Sequence, residues 1–200
     1  MKTNKFFRFF FLPIYKPLKG ISELVENKRK ISYSIVIFLF LGIIYTFSVQ
    51  VALMRGFGAQ VEPFIKIPAE DYYFWQRFFQ IPFFFITSII FAGTVRLLSI
   101  PFGGKGTYEN HFVLFCVAQT LPMFLTMWLP ETIFFFAFTK DTFAINIYID
   151  IARQVLGIVW PLAIMVLGVS IIERIKWYWA TLIVLIASIP ITLFMVIFIR

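Results

Sequence analysis

The residues whose types and spacing come nearest to a chemical site stand in one short run, Ser99-Ile100-Pro101-Phe102-Gly103-Gly104-Lys105-Gly106-Thr107. Glycines beside a lysine and a threonine are the ingredients of a phosphate cradle, in which backbone N–H groups and an ammonium hold the anion. That cradle needs glycine, four residues, then glycine-lysine followed directly by serine or threonine. Here Ser99 stands where the first glycine belongs, Gly106 follows Lys105, and Thr107 comes one place late. A nucleotide site is therefore not expected. Two readings remain. One is a tight turn with positive φ at glycine and Lys105 solvated. The other is a conformationally special loop, Gly103, Gly104, Lys105, Gly106 and Thr107, that contacts a partner or lipid headgroups.

The other reactive patterns are incomplete. His111 is the single histidine, which excludes a paired-histidine zinc motif. Its place at the start of an apolar run predicts an interfacial side chain. Gly168-Val169-Ser170 matches the first half of a nucleophile elbow, but Ile171-Ile172 follow with no glycine. Helix packing through small residues is expected there instead. The lone Cys116 excludes an intrachain disulfide. No catalytic residue, cofactor or metal is expected.

Polar groups within or beside the apolar runs are the better leads, because each is expensive in hydrocarbon. They are Gln50, Gln119, Asn146, Asp150, Arg153 and Gln154. Asp150 and Arg153, three residues apart, are placed to pair along one helical face. Interhelical hydrogen bonding is the expectation for the glutamines, and a small polar pathway is the alternative. Pro122 and Pro161 predict interrupted helices near mid-membrane, a device transporters use.

The elements that must position these residues follow from composition. Hydrophobic side chains make up 60% of the 200 residues and charged ones 14%, whereas soluble domains carry roughly half and a quarter. One soluble core cannot hide that much apolar surface, but a bilayer can. Uncharged runs long enough to cross, roughly 20 residues at about 1.5 Å each, lie near 31-54, 78-98, 111-129, 151-172 and 177-199. Arg96 sits close enough to a span end to snorkel, and Trp177-Tyr178-Trp179 is a headgroup-level belt. The stretch from Glu131 to Asp150 is too charged for a full crossing. It is expected to be interfacial or partly re-entrant rather than a sixth span.

The fold class predicted is all-α, a polytopic membrane protein of about five transmembrane helices treated as one domain. Lys2, Lys5, Arg8, Lys16, Lys19, Lys28, Arg29 and Lys30 precede the first span. The positive-inside rule then puts the N-terminus in the cytoplasm and, after five spans, the C-terminus at Arg200 outside. Residues 1-30 form a basic cytoplasmic segment with no cleavage pattern of a signal peptide. Within it, Leu18, Ile21 and Val25 after Pro17 predict an amphipathic helix on the inner leaflet, attracted to anionic headgroups. The net charge of +8 is accounted for by this topology, not by nucleic acid.

Three stretches resemble the Yip1 domain. Phe102-Gly103-Gly104-Lys105-Gly106-Thr107-Tyr108 looks like the family's cytoplasmic glycine-lysine loop after the second span. Ala118-Gln119-Thr120-Leu121-Pro122 is similar to its small-residue and Leu-Pro step in the third. Val159-Trp160-Pro161-Leu162-Ala163-Ile164-Met165-Val166-Leu167-Gly168-Val169 is similar to its apolar fourth span. The resemblance is closest to short prokaryotic members, and it implies five spans, a cytoplasmic N-terminus and residence in the cytoplasmic (inner) membrane. The function expected is that of a non-enzymatic membrane-organising or partner-binding scaffold, acting on the bilayer and on another membrane protein or a second copy. The alternative is a small transporter or channel-like subunit with a polar path through Gln119, Gln154 and the helices of Pro122 and Pro161.

Overall fold

The structure, a computed structural model, describes residues 3–57, 64–138 and 147–198. Among them the chain is all-helical: α1 (Thr3–Tyr15), α2 (Pro17–Glu26), α3 (Lys30–Met54), α4 (Tyr72–Ser99), α5 (Tyr108–Met123), α6 (Leu129–Ala137), α7 (Ile147–Glu173) and α8 (Trp177–Phe198). A π turn, Phe124–Trp128, joins α5 to α6 without a break. Five stretches are long and apolar enough to cross a membrane: α3, α4, the continuous Tyr108–Ala137, α7 and α8.

The third span is the hub. It packs on α3, α4 and α7, while α8 lies against α4 and α7. Of its apolar stretch 61% is buried inside the protein, against 22% for α8, so α8 leaves most of its surface to lipid. Phenylalanines fill the interior: Phe91 meets Phe115 at 4.9 Å between ring centroids, and Phe83 stacks on Phe194 at 5.2 Å. Trp128 lies between Tyr45 and Phe84, at 4.8 and 5.2 Å. Such pairs add about 0.5–1.5 kcal/mol each beyond area burial.

Five crossings put the chain's two ends at opposite ends of the bundle. Tyr72 at the start of α4 donates to the Phe198 carbonyl at the end of α8, 3.0 Å away. At the other end Lys30, opening α3, reaches the Val25 carbonyl at 3.0 Å and the Asn110 side chain in the first turn of α5. We call the latter the amino-terminal end.

Several helices run further than the apolar pattern predicts. α4 begins at Tyr72 rather than 78, taking Arg77 into its first turns. The Arg77 guanidinium is satisfied there by Gln50 Oε1 at 2.6 Å and by the faces of Phe74 and Phe78, with ring centroids 4.3 and 5.0 Å away. The third span's helix continues past 129 to Ala137, so Glu131 to Ala137 is its last part rather than a separate segment. Asp150 belongs to the first turn of α7. Lys140, Asp141 and Asn146 between them lie outside the described residues, as do Glu62, Lys2 and Arg200.

Pro122 removes the N–H that would bond back to Ala118. Two residues on, the helix widens into the π turn, where the Leu129 N–H reaches the Phe124 carbonyl and the Thr126 hydroxyl returns to the Pro122 carbonyl at 2.7 Å. At Pro161, by contrast, α7 runs through unbroken, and Pro82 and Pro190 sit inside α4 and α8 in the same way.

The N-terminal segment is a helical hairpin on the end of the bundle. The amphipathic helix predicted after Pro17 forms, but its packed face is Gly20, Ile21 and Leu24, with Leu18 64% exposed. That face meets α1 and the end of α7, so α2 buries its apolar stripe in protein rather than in the leaflet. Phe9, Phe10, Ile21 and Leu24 belong to the same core as the spans.

Candidate functional site

The fourth span is fastened at both ends to the third, once through an anion and once through a cation. The anion is Glu173, the last residue of α7, whose side chain has no exposure at all. The chain turns tightly behind it. Arg174 adopts φ +58, the Ile175 N–H bonds to the Ser170 carbonyl at 3.2 Å, and the Ser170 hydroxyl bonds to the Ile175 carbonyl at 2.8 Å. This closes the helix with a left-handed residue followed by a long backward bond. Ser170 is thus a capping side chain, and Gly168 beside it lets α7 approach Leu114 of α5 closely.

An ionised carboxylate in a dry position must be met by donors. Three groups converge on Glu173. His111, itself fully buried in the first turn of α5, places Nε2 at 2.6 Å from Oε1. The acceptor-only carboxylate assigns the proton to Nε2. The Gly106 N–H donates to Oε2 at 2.7 Å, and Arg96 of α4 brings Nη1 to 3.4 Å from the same oxygen. The Arg96 guanidinium also donates to the Gly104 carbonyl at 3.1 Å. The Lys105 N–H reaches the backbone carbonyl of Glu173 at 3.4 Å.

The loop after α4 is therefore wrapped around one carboxylate. A 3-10 turn, Ile100–Phe102, leads to Gly103 at φ +74, a left-handed conformation that favours glycine. Gly104 and Gly106 are required for a different reason. A Cβ on Gly104 would fall 2.8 Å from the Ser99 carbonyl oxygen and onto the Glu173 carboxylate. One on Gly106 would lie 2.6 Å from Ile172 Cγ2 and 2.9 Å from the Glu173 carboxyl carbon. Thr107 then caps α5, its hydroxyl accepting from the Asn110 N–H at 3.4 Å. Lys105 and Thr107 face outward.

At the other end of α7 the central ion is Arg153. Its Nη2 lies 2.6 Å from Asp150 Oδ1, the predicted pair three residues apart. Nη1 lies 3.2 Å from Glu131 Oε1 and 3.1 Å from the Met127 carbonyl, on the third span. Gln154 is exposed and donates to Asp150 Oδ2 at 2.7 Å. Gln119 is half-buried on α5, and no hydrogen bond joins it to Gln154. The structure gathers Asp150, Arg153 and Gln154 into one cluster and leaves Gln119, Pro122 and Pro161 apart from it.

His111, expected to be an interfacial side chain, is buried within the protein at the centre of the amino-terminal network. Arg96, expected to snorkel, is turned toward Gly104 and Glu173 and is one-third exposed. Glu173 was missed altogether by reading the sequence for chemistry. The signal was present in topology. His111 opens one span and Glu173 closes the next, so antiparallel crossing brings them to the same depth. Also missed were Gln76 and Gln80, both buried in α4 and joined at 3.1 Å, and Thr132, whose hydroxyl lies 2.5 Å from that of Ser48.

Among the described residues no group of histidine, cysteine and carboxylate side chains is disposed to hold a metal ion. Comparison of the chain with protein-family models, with curated proteins and with solved structures finds no match. Fold and site together define a multi-pass helical membrane protein with a loop fixed from within at one end.

Proposed function

We propose that this chain is a membrane-organising or partner-binding scaffold without catalysis, similar to short prokaryotic Yip1-domain proteins. In this reading it resides in the cytoplasmic membrane with the amino-terminal end inside and Arg200 outside. The observation that carries it is the loop from Gly103 to Thr107, held by a buried carboxylate while Lys105 is presented to the surroundings. A surface ordered in advance loses less entropy when it binds, so more of the contact energy appears as affinity.

Charge supports the orientation. Among the described residues the amino-terminal end carries Lys5, Arg8, Lys16, Lys19, Lys28, Arg29, Lys30, Arg96, Lys105, Arg174 and Lys176, against Glu23, Glu26, Glu109 and Glu173. The opposite end has Arg55, Lys66, Arg77 and Arg153 with Glu70, Asp71, Glu131 and Asp150. Excess lysine and arginine marks the cytoplasmic side, and near an anionic leaflet each cation adds up to about 1 kcal/mol.

Cross-linking in native membranes followed by mass spectrometry tests the scaffold. The expected result is a reproducible partner lost on Lys105→Ala or on neutralising Lys28, Arg29 and Lys30. A chain that captures none counts against it. Orientation is tested separately by a reporter fused after Arg200, which should register the outer side.

A transport reading draws on the buried Gln76–Gln80 pair rather than on Gln119 and Gln154, because a polar path requires groups that meet inside the bundle. Solute flux in proteoliposomes that disappears in Gln80→Leu would favour it over the scaffold.

A further inference from the structure

Helix α1 is apolar on two faces, and only one is used inside the protein. Phe9, Phe10 and Leu12 are buried, and Phe6 and Phe9 hold the ring of Tyr33 edge-on at 5.2 and 5.3 Å. The helix is thereby fixed against the first turn of α3, where the first span leaves the amino-terminal end. The opposite face carries Phe7, Phe11 and Tyr15, spaced four residues apart and 52%, 41% and 64% exposed. Phe7 and Phe11 stack with centroids 6.4 Å apart. Exposed Leu18, just across the turn into α2, adds to the apolar surface.

This is not how a helix that meets water on its outer side is built. The hairpin's cations Lys5, Lys16 and Lys19 are exposed near the two ends of the stripe in sequence, and Arg8 is turned to Glu23 of α2 at 2.6 Å. Aromatic residues at helical spacing with flanking lysine and arginine are the arrangement of a helix lying in the plane of a membrane surface. The bundle itself exposes apolar surface toward the same end, since α3 leaves Ile31, Val36, Leu39 and Phe40 open from its first turns onward.

We propose that the face of α1 formed by Phe7, Phe11 and Tyr15 is seated in the headgroup–acyl boundary of the leaflet at the amino-terminal end. Its flanking cations are at the level of anionic phosphates. The lipid-contacting element of the segment is α1, and α2 is the strut that holds it against the bundle. The inference rests on the membrane reading of the five spans and not on the scaffold role, so a missing partner would leave it standing.

Two measurements test it on the full chain in nanodiscs of mixed phosphatidylcholine and phosphatidylglycerol. In the first, the native chain is irradiated with a phospholipid carrying a diazirine near the glycerol end of its acyl chain, and adducts are mapped by mass spectrometry. Adducts on Phe7, Phe11 or Tyr15, with Ser22 to Glu26 unmodified, are expected. Modification of neither segment, or of α2 alone, overturns the proposal. In the second, a nitroxide is placed at position 11, 15, 22 or 26 of the Cys116→Ala chain. Collision with oxygen should exceed collision with a water-soluble nickel chelate at 11 and 15, and the order should reverse at 22 and 26. A water-like label at 11, or one shielded from both reagents with dipolar broadening from a second copy, overturns it.

Discussion

The two ends of α7 solve the same problem with opposite charges and different burial of the central ion. At one end Glu173 is fully buried and takes donors from His111, Gly106 and Arg96. At the other Arg153 is 13% exposed and takes acceptors from Asp150, Glu131 and the Met127 carbonyl, the carboxylates themselves being 28–29% exposed. Both tie the fourth span to the third. A dry ion holds its partners as tightly as they hold it, because the buried His111 and Gly106 donors left without the carboxylate have no solvent to turn to. A damp one can exchange a lost partner for water. The first arrangement therefore shapes a loop, and the second merely pins two helices.

The largest effect expected from this contrast is at Glu173. Glu173→Leu leaves the buried His111 and Gly106 N–H groups without an acceptor, while the one-third-exposed Arg96 keeps the Gly104 carbonyl, and should destabilise the folded state by about 3–5 kcal/mol, the cost of breaking a buried pair from one side. Thermal unfolding in detergent measures it. The double variant Glu173→Leu with His111→Leu should recover part of the loss, since removing both partners avoids the stranded donor. A Glu173→Leu chain as stable as the wild type would dissolve the comparison.

Arg153→Met should cost less, about 1 kcal/mol. Its carboxylate partners are 28–29% exposed rather than buried, which discounts the pair toward the surface range. The loss should also shrink when the Arg153 pair is weighed in high salt, as that of Glu173 should not. Equal losses at the two positions would mean that burial is not what separates them.

The smallest effect belongs to a third pair, Arg8–Glu23 of the hairpin, 2.6 Å apart and open to solvent on both sides. The hydrogen bond from Arg8 holds the Glu23 carboxyl below its ordinary range. The sign follows from linkage: a lowered folded value means that the pair's contribution is complete above the ordinary carboxylate pKa and is lost as pH falls through the lowered one. Carboxyl carbon NMR of Glu23 should titrate below the ordinary value in the wild type and return to it in Arg8→Ala, with no measurable change in the unfolding of the spans.

The number of spans and their approximate places were legible in the sequence, because hydrocarbon thickness imposes a length on uncharged runs that no packing detail can override. The Asp150–Arg153 pair was legible for a similar reason, since both partners lie on one helix and its period alone sets their distance. The early start of α4 was not, because whether Arg77 is tolerable depends on Gln50 and two phenylalanine faces. Nor was the continuation of the third span to Ala137, whose Glu131 is matched by Arg153 from another helix. Hydropathy assigns each charge the cost of standing alone, and these do not.

What the chain's residues settled by themselves was the membrane class, the span pattern and the concentration of cations toward one end, all properties additive along the sequence. Which face of α2 is buried, why Gly104 and Gly106 are needed, and that His111 and Arg96 serve one carboxylate were decided only in three dimensions. Each of these depends on a neighbour from another helix, and a contact across helices becomes a property of the molecule only when the spans pack.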